Sequence, residues 1–469
     1  MSRHAEKFER AVAEALGNPS LQEALLSTTS RKMSQRTEAL AELRNADELC
    51  DLATQIKRHT LDHLDRYLEQ FIEQVEARGG QVHFAHTPEE ACELICRIAR
   101  ENECKLAVKS KSMATEEIEL NAALQRIGVE VVETDLGEFI VQIDHDRPSH
   151  IVTPIIHKNR REIAEAMARE LGVKYTEDPE ELTGIARRHL RDIFRRCDLG
   201  ITGVNFGVAE TGTICICTNE GNGRLTLTRP RVHVALMGME KLIPRLADLA
   251  LFLKILARSS TGQPITVYTT LVTGVAKQPY AGTPEQLHIV ILDGGRSDIL
   301  GGAYHDILRC IRCGACLNAC PVYRHIGGHA YNSVYSGPIG KVLTPLLNEH
   351  VVHADLPQAS SLCGLCLEVC PVRIDIPELL VRLRCEQTRG RMTGFWHRTA
   401  FRMATVMLKS PGLYRMGQWM ARIALSSGSR DGWVEHAPQP LQSMTDTRDL
   451  LAPARRSFRR IWEEGLRDE

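Results

Sequence analysis

The chain carries no surplus of charge and contains no long apolar run. Lys and Arg number 58 against 59 for Asp and Glu, so the formal net charge is −1. This near-neutrality gives no bulk attraction for nucleic acid, which is not an expected partner. No apolar run reaches the roughly 18–20 residues of a membrane span, and the charged N-terminus lacks the apolar core of a secretory signal. We expect a cytoplasmic protein without a transmembrane segment, with peripheral association at a membrane left open.

The common motifs for nucleotide cofactors and for catalytic zinc are also absent. No G-x-G-x-x-G follows a predicted strand, as nicotinamide- and flavin-binding folds require. The G-x-x-x-x-G-K-[ST] phosphate loop and the H-E-x-x-H zinc motif are missing too. The sequence therefore offers no recognisable site for a cofactor that accepts hydride.

Cysteine, in contrast, is abundant and unevenly distributed. Eight of the fifteen cysteines lie between Cys310 and Cys385. Disulfides do not persist in a reducing compartment, so a cluster of this kind indicates a metal site.

The order of predicted elements divides the chain into four segments. Residues 1–78 have apolar residues at helical spacing and predict a helical N-terminal arm. Residues 79–302 alternate Val- and Ile-rich runs with helical stretches, which predicts an open, largely parallel α/β sheet. Residues 303–390 hold the cysteine motifs among short helical pieces and glycines, and residues 391–469 form an Arg-rich C-terminal extension. The first five predicted strands are 81–84, 105–110, 129–134, 139–143 and 150–156.

The first cysteine motif has the spacing of bacterial ferredoxins. Cys310, Cys313, Cys316 and Cys320 follow the pattern C-x2-C-x2-C-x3-C, with Pro321 next. In ferredoxins the first three thiolates bind one [4Fe–4S] cluster, and the fourth binds the other cluster. The spacing therefore predicts a second motif elsewhere in the chain.

The second motif repeats the first at a fixed distance. Cys363, Cys366 and Cys370 each lie 50 residues after a cysteine of the first motif, whereas the residue 50 after Cys310 is Ser360. We interpret the pair as an internal duplication that binds two [4Fe–4S] clusters with exchanged fourth ligands. The predicted ligands are Cys310, Cys313, Cys316 and Cys370 for the first cluster, and Cys320, Cys363 and Cys366 for the second.

The fourth ligand of the second cluster is left open. The Ser360 hydroxyl could bind iron, although serine is a harder ligand than a thiolate, or water or another group could fill the position. Zinc is the alternative metal, but zinc sites use paired C-x2-C knuckles and fit this repeated spacing poorly.

The segment 79–302 offers two candidate ligand sites at predicted strand ends, where open α/β sheets bind their ligands. One runs along 202–207 and 209–213, with Glu210 as a carboxylate and Arg224 as a nearby cation. The other is the run 109–112, Lys-Ser-Lys-Ser, which could bind an anion before a helix. Turn glycines and solvated charges are the structural alternative for both.

Five segments resemble the lactate utilization protein B family: residues 108–121, 133–142, 201–213, 310–321 and 360–372. The resemblance covers nearly the whole chain. It implies a NagB/CoA-transferase-like α/β domain, an α-helical ferredoxin module and a C-terminal extension. It also implies an electron carrier in the oxidation of L-lactate to pyruvate, acting with two companion proteins. Ser360 departs from the eight-cysteine ferredoxin pattern, and the resemblance implies no catalytic residue.

Three functions remain in competition at this point. The first is an electron-transfer subunit of a lactate-oxidising complex. The second is a self-contained Fe–S oxidoreductase with a substrate pocket near Glu210. The third is a protein whose clusters only stabilise its fold, although a single metal site would suffice for that purpose.

The C-terminal end is basic and carries an apolar helical face. Residues 371–469 contain seventeen Arg and Lys against eleven Asp and Glu, and Lys409 is the single Lys among them. Arg is favoured over Lys at protein interfaces, and Met adapts to irregular apolar surfaces. The face either packs on the ferredoxin module of this chain or docks a companion protein. It comprises Trp396, Ala400, Met403, Met407, Leu413, Met416, Met420 and Ile423.

Overall fold

The structure is a computed structural model that describes residues 3–275, 283–347, 353–390, 395–426, 429–437, 442, 445, 448–454 and 456–465. The chain divides into two compact units, residues 1–387 and 388–469. In chain order, the helices that begin in the first unit are α1 (Arg3–Leu16), α2 (Pro19–Ala41), α3 (Ala46–Asp62), α4 (Leu64–Glu76), α5 (Pro88–Glu101), α6 (Met113–Glu117), α7 (Leu120–Arg126), α8 (Leu136–Ile143), α9 (Arg160–Leu171), α10 (Pro179–Arg196), α11 (Asn222–Thr228), α12 (Leu246–Thr261), α13 (Arg296–Leu300), α14 (Ala315–Ala319), α15 (Tyr323–Ile326), α16 (Gly337–Leu347), α17 (Leu365–Glu368) and α18 (Ile376–Arg389). Its strands are β1 (Gln81–Ala85), β2 (Leu106–Lys109), β3 (Glu130–Glu133), β4 (Leu199–Gly203), β5 (Phe206–Val208), β6 (Thr213–Thr218), β7 (Val232–Gly238), β8 (Leu242–Ile243), β9 (Tyr268–Val272) and β10 (Gln286–Leu292). Short 3-10 helices cover Met239–Lys241, His305–Arg309, His329–Tyr331 and Leu356–Gln358.

A six-stranded parallel sheet forms the centre of the first unit. Its strand order is β1-β10-β7-β4-β2-β3, and every neighbouring pair is parallel. All seven residues of β7 are buried, as expected for a central strand covered by helices on both faces. The predicted α/β fold with a largely parallel sheet is confirmed.

A smaller mixed sheet lies beside the central one. Its order is β8-β5-β6-β9, in which β5 pairs with β8 in parallel and with β6 antiparallel. Cys215, on β6, is fully buried and its Sγ lies 3.9 Å from that of Cys217. The chain reverses direction between Phe206 and Thr218, so this part of the fold is not parallel.

Two of the predicted strands are wrong. Residues 139–143 belong to helix α8, because the Asp135 carboxylate caps the helix by accepting the N–H groups of Gly137 and Glu138. Residues 150–156 form turns rather than a strand. There Nδ1 of His150 accepts the backbone N–H of Val152 at 2.9 Å, and Pro154 lacks the N–H that a strand ladder requires.

The N-terminal helices pack on the rest of the first unit. Helix α2 contacts α12 of the α/β part and also α14 and α15 of the cysteine-containing part. Leu25 on α2 and Phe71 on α4 are fully buried. The guanidinium of Arg36 donates to the carbonyl oxygen of Val369 at 2.9 Å. Helix α2 therefore joins the α/β part to the part that contains both cysteine motifs.

The second unit contains two adjacent amphipathic helices, α19 (Phe395–Lys409) and α20 (Pro411–Ser426). Gly417 lets them approach, because a Cβ there would lie 2.7 Å from Sδ of Met407. Exposed apolar side chains cover both helices: Phe401, Met403, Val406, Met407, Leu408, Leu413, Met416, Trp419, Met420 and Ile423. The side chain of Trp396, part of the predicted face, lies outside the described residues. The unit also holds β11 (Ser429–Arg430), β12 (Trp433–Val434), β13 (Leu450–Leu451) and α21 (Phe458–Glu464).

Across the described residues of both units, none of the helices has the length and apolar character needed to cross a membrane.

Candidate iron–sulfur site

The two cysteine motifs have the same backbone conformation. Arg312 and the equivalent Leu362 both adopt left-handed φ angles, of 60° and 55°. Gly314 and Gly364 follow with φ of 78° and 86°, each just before a short helix. Glycine adopts this region without strain, so the chain can wind back around its cysteine side chains. The duplication seen in the sequence is therefore present in the backbone as well.

Ser360 occupies the local position of a cysteine in this repeat. In the first motif, the backbone N–H of Arg312 donates to Sγ of Cys310 at 3.4 Å. In the second motif, the N–H of Leu362 donates to Oγ of Ser360 at 3.2 Å. The serine oxygen and the cysteine sulfur thus each accept a hydrogen bond from the backbone N–H of the residue two positions later in the chain.

Four cysteines come together around one cavity. Cys310, Cys313 and Cys316 line it with Cys370 of the second motif. Burial raises the pKa of Cys313 to about 12, and the nearby thiols of Cys370 and Cys310 add to that effect. Burial and the other three thiols likewise raise the pKa of Cys316. Four converging sulfur donors at these spacings fit a [4Fe–4S] cluster, which thiolates hold more readily than harder ligands do.

The remaining three cysteines form a second group, which includes the one exposed cysteine of the two motifs. Burial raises the pKa of Cys366 to about 12, and the thiols of Cys320 and Cys363 contribute. The ammonium of the buried Lys341 donates to Sγ of Cys320 at 3.5 Å, whereas Cys363 is exposed. The structure thus pairs each motif with the last cysteine of the other, in the grouping that the exchanged-ligand pattern predicts. The assignment of these residues as iron ligands remains a prediction.

A cavity of about 250 Å³ adjoins the first group. It opens at the carboxyl ends of β2, β4 and β7, and Cys313 forms part of its wall. The predicted ligand segment 202–207 contributes Gly203, Val204 and Asn205. Glu210 does not line the cavity; its carboxylate accepts the backbone N–H of Leu246 at 2.8 Å, at the start of α12. The observed cavity therefore lies nearer the first cysteine motif than the pocket predicted around Glu210.

The other predicted candidates divide between the cavity and the fold. Arg224 stacks on the ring of Tyr268, with 4.9 Å between the guanidinium carbon and the ring centroid, and does not line the cavity. Burial alone would lower the pKa of Lys109, but the carboxylates of Glu133 and Glu116 outweigh it and raise that pKa. Lys109 therefore forms ion pairs with these carboxylates, while residues 110–112 line the cavity.

A buried ionic network forms the cavity wall nearest the first motif. Arg296 donates two hydrogen bonds to Glu117, at 2.9 and 2.8 Å, and a third to Glu240 at 2.8 Å. The guanidinium of Arg312 lies 3.5 Å from the other Glu240 oxygen and 4.6 Å from the ring centroid of Tyr335. Removing one member of such a buried network would leave an uncompensated charge, so the network fixes the geometry of this wall.

Sequence reasoning did not select these network residues. Glu240 and Arg296 lie shortly after the ends of β7 and β10, whose apolar runs are visible in the sequence, and this position is a usable signal for a ligand-facing residue. Arg312 lies between Cys310 and Cys313, where the motif specifies only the number of intervening residues and not their type.

Comparison with known proteins agrees with these features. Residues 68–292 match the LUD domain, residues 306–374 the 4Fe-4S dicluster domain, and residues 382–466 the family described as lactate utilisation protein B, C-terminal. The chain is 44% identical over 463 residues to lactate utilization protein B of Oceanobacillus iheyensis, covering 98% of this chain and 97% of that relative. It is 45% identical over 467 residues to the Bacillus licheniformis protein of that name, covering 99% and 98% respectively.

One solved structure is also similar in part. A DUF162 family protein from Deinococcus radiodurans matches 49% of this chain and 98% of its own, with 13% sequence identity and a TM-score of 0.28.

Proposed function

Since the chain belongs to the lactate utilization protein B family, we propose that it is the electron carrier that accepts electrons from L-lactate as pyruvate forms. Its family and its 4Fe-4S dicluster domain establish a role in lactate utilization that involves iron–sulfur binding. The observation that carries the finer proposal is the separation of seven cysteines into a group of four beside a cavity and a group of three that includes the exposed Cys363.

Two [4Fe–4S] clusters account for both cysteine groups. Oxidation of L-lactate to pyruvate releases two electrons and two protons. Each cluster, when bound, supplies a site that takes up one electron at a time. Cys310, Cys313, Cys316 and Cys370 would hold the first cluster, while Cys320, Cys363 and Cys366 would hold the second.

Positive side chains surround the thiols of the first group. The Cys310 thiol interacts electrostatically with the cations of Lys57, Lys241 and Arg312, and Cys370 with that of Arg309. Clusters with thiolate ligands are anionic, and reduction adds further negative charge. Nearby cations therefore stabilise the reduced form and favour uptake of electrons.

The exposure of the second group supports an order of transfer. Cys363 is exposed, whereas Cys313 is buried and lines the internal cavity. The residues of the first group would hold a cluster beside the cavity, and those of the second would hold a cluster that could supply electrons to a redox partner at the surface. We place the chain and its companion lactate-utilization proteins in the cytoplasm.

A dye-reduction assay separates this proposal from its alternative. Purified, iron-loaded chain should reduce an artificial acceptor with L-lactate only when the companion proteins are present. Reversible reduction of the clusters by dithionite should accompany this result, because a carrier must cycle between oxidation states. Clusters that cannot be reduced reversibly would leave only a structural role.

The self-contained oxidoreductase is the second candidate, because the cavity reaches Cys313 and offers a place for a substrate within this chain. It predicts that the chain alone reduces the dye with L-lactate, at a rate that the companions do not change. Activity of the chain alone would replace the carrier proposal with this one.

We further propose that the exposed apolar face of α19 and α20 docks a companion protein. Met403, Met407, Met416 and Met420 expose between 38% and 69% of their surfaces. Met-rich surfaces adapt to irregular partners, and Arg around them favours an interface.

Removal of this segment should abolish the association without affecting iron. A chain that ends at residue 392 should keep the iron content of the full chain and fail to co-purify with the companions. A chain that ends at residue 465, which retains α19 to α21, serves as the control and should still co-purify. Loss of iron or aggregation of the shorter chain would show that the segment is part of the core, against the docking proposal.

A further inference from the structure

An arginine beside the first cysteine group has a donor without a partner. The side chain of Arg312 is only 8% exposed and lines the cavity, yet its Nη1 makes no hydrogen bond among the residues that the structure describes. Its Nη2 has only the long 3.5 Å contact to Glu240. A buried donor without a partner costs free energy, and an anionic ligand in the cavity would satisfy it.

A lysine on the same wall adds a second cation. Lys241 follows β7 and the buried Glu240, and it lines the cavity together with Arg312. Within the described part of the chain, its ammonium forms no ion pair or hydrogen bond. The nearby Lys57 differs, because its ammonium donates to the carbonyl oxygens of Glu240 and Leu242 and does not line the cavity.

Charges of both signs line the cavity, and most of them are paired. Its lining contains four cations and three carboxylates: Lys111, Lys241, Arg296 and Arg312 against Asp135, Glu220 and Glu240. Arg296 is satisfied by Glu117 and Glu240, and Lys111 lies 3.8 Å from Asp135. With Glu117 counted, the cations and carboxylates of this wall are equal in number. Among the described residues, however, Nη1 of Arg312 and the ammonium of Lys241 have no hydrogen-bond partner, so this part of the wall suits an anionic group.

We infer that this cavity binds a small monocarboxylate with a 2-hydroxy or 2-oxo group, its carboxylate held by Arg312 and Lys241. A planar guanidinium matches the two oxygens of a carboxylate, and a lysine ammonium adds a point charge. The volume of about 250 Å³ accommodates a molecule of lactate size but is small for a nucleotide or coenzyme A. Because Cys313 forms part of the wall, the ligand would lie beside the first cluster.

This inference rests on the proposed function and names the subsite at which that function would meet its substrate. It differs from the pocket predicted around Glu210, whose carboxylate lies outside the cavity and caps α12. The cation pair would position the carboxylate, and the remainder of the small molecule would face the strand ends at Gly203 and Asn205.

Calorimetric titration of the full-length, iron-loaded protein under anaerobic conditions tests the inference. Pyruvate is the chosen ligand, because it cannot give the electrons of the lactate oxidation to the clusters during the titration. We expect saturable binding at one site per chain. Propan-2-ol, which lacks the carboxylate, should not bind.

Substitutions on the wall should weaken binding where they remove the charge of Lys241 or the planar, bidentate donor of Arg312. Lys241→Met and Arg312→Lys should each raise the dissociation constant about tenfold or more, as expected for loss of a charge-assisted hydrogen bond. Lys241→Arg keeps the charge and should retain most of the affinity. Lys174→Met, at an exposed lysine outside the cavity, is the matched control and should bind like the wild type.

Iron content is measured on every variant, so that binding and cluster assembly are separated. If Arg312→Lys loses iron, the comparison of Lys241→Met with Lys241→Arg decides the outcome. Absence of saturable binding in the wild type, or equal affinity of Lys241→Met and wild type, would overturn the inference. Clusters that L-lactate and the companions still reduce would then leave the carrier function standing. Binding of pyruvate without any such reduction would contradict the carrier function instead.

Discussion

Ser360→Cys protein should lose the [3Fe–4S] signal that the wild type develops on mild oxidation. The second cysteine group offers three thiols, so one iron of its cluster lacks a thiolate and is released first in the wild type. Loss of that iron leaves a [3Fe–4S] species, which electron paramagnetic resonance detects in the oxidised state. A fourth thiolate at position 360 should retain the iron.

The structure supports this effect because Ser360 already has the local geometry of a ligand position. Its Oγ accepts the N–H of Leu362, as Sγ of Cys310 accepts that of Arg312. A sulfur placed there would need little rearrangement of the backbone.

Ser361→Cys is the matched control for this experiment. Ser361 is the adjacent, exposed serine, and it has no equivalent cysteine in the first motif. This variant should form the [3Fe–4S] signal like the wild type. Identical oxidation of the Ser360→Cys protein and wild type would show that residue 360 does not determine the ligands of the second cluster.

Removal of the last cysteine of each motif should affect the cluster of the other motif. Cys370→Ala leaves the first group with three thiols, so both clusters should release one iron and give the [3Fe–4S] signal on mild oxidation. Cys320→Ala leaves the second group with two thiols, so this variant should lose the second cluster and its signal and keep the oxidation-resistant first cluster. Its iron content should fall from about eight to about four per chain.

These expectations follow from the grouping of the thiols in space, in which the last cysteine of each motif lies with the cysteines of the other. Cys370 lines the cavity of the first motif, while Cys320 interacts with Cys366 of the second. Cys385→Ala, at an exposed cysteine outside both groups, is the control and should keep the full iron content. If Cys370→Ala instead lost the exposed cluster, each motif would bind its own cluster without exchange.

The sequence predicted the elements whose signal is local. The spacing of the cysteines and the 50-residue repeat identified both motifs, because cluster ligands follow a fixed short-range geometry. The alternation of Val- and Ile-rich runs with helical stretches over 79–302 predicted the parallel sheet, in which β7 and β10 are internal strands. Continuous apolar composition is sufficient where a strand is covered on both faces.

The failures came from competing local interactions. Residues 139–143 have strand-like composition, but the Asp135 cap before them starts a helix. Residues 150–156 are equally rich in Ile and Val, yet Pro154 and the His150 side chain hold them in turns. In both segments a single polar residue or proline outweighed the weak β propensity of its neighbours.

The cavity could be predicted only in part. The candidate segments 202–207 and 109–112 lie at predicted strand ends, and each contributes part of its length to the lining, namely 203–205 and 110–112. Arg312 and Lys241 are 71 residues apart in the chain and meet only because the cysteine motif packs against the sheet. No local pattern contains that contact, so the carboxylate subsite required the three-dimensional structure.

Freeze-quench electron paramagnetic resonance tests the central claim most directly. Anaerobic, iron-loaded chain would be mixed with L-lactate and the companion proteins, with no further acceptor present. The carrier function predicts that reduced-cluster signals of about two spins per chain appear at the rate at which pyruvate forms. Formation of pyruvate while the clusters of this chain remain oxidised would contradict it.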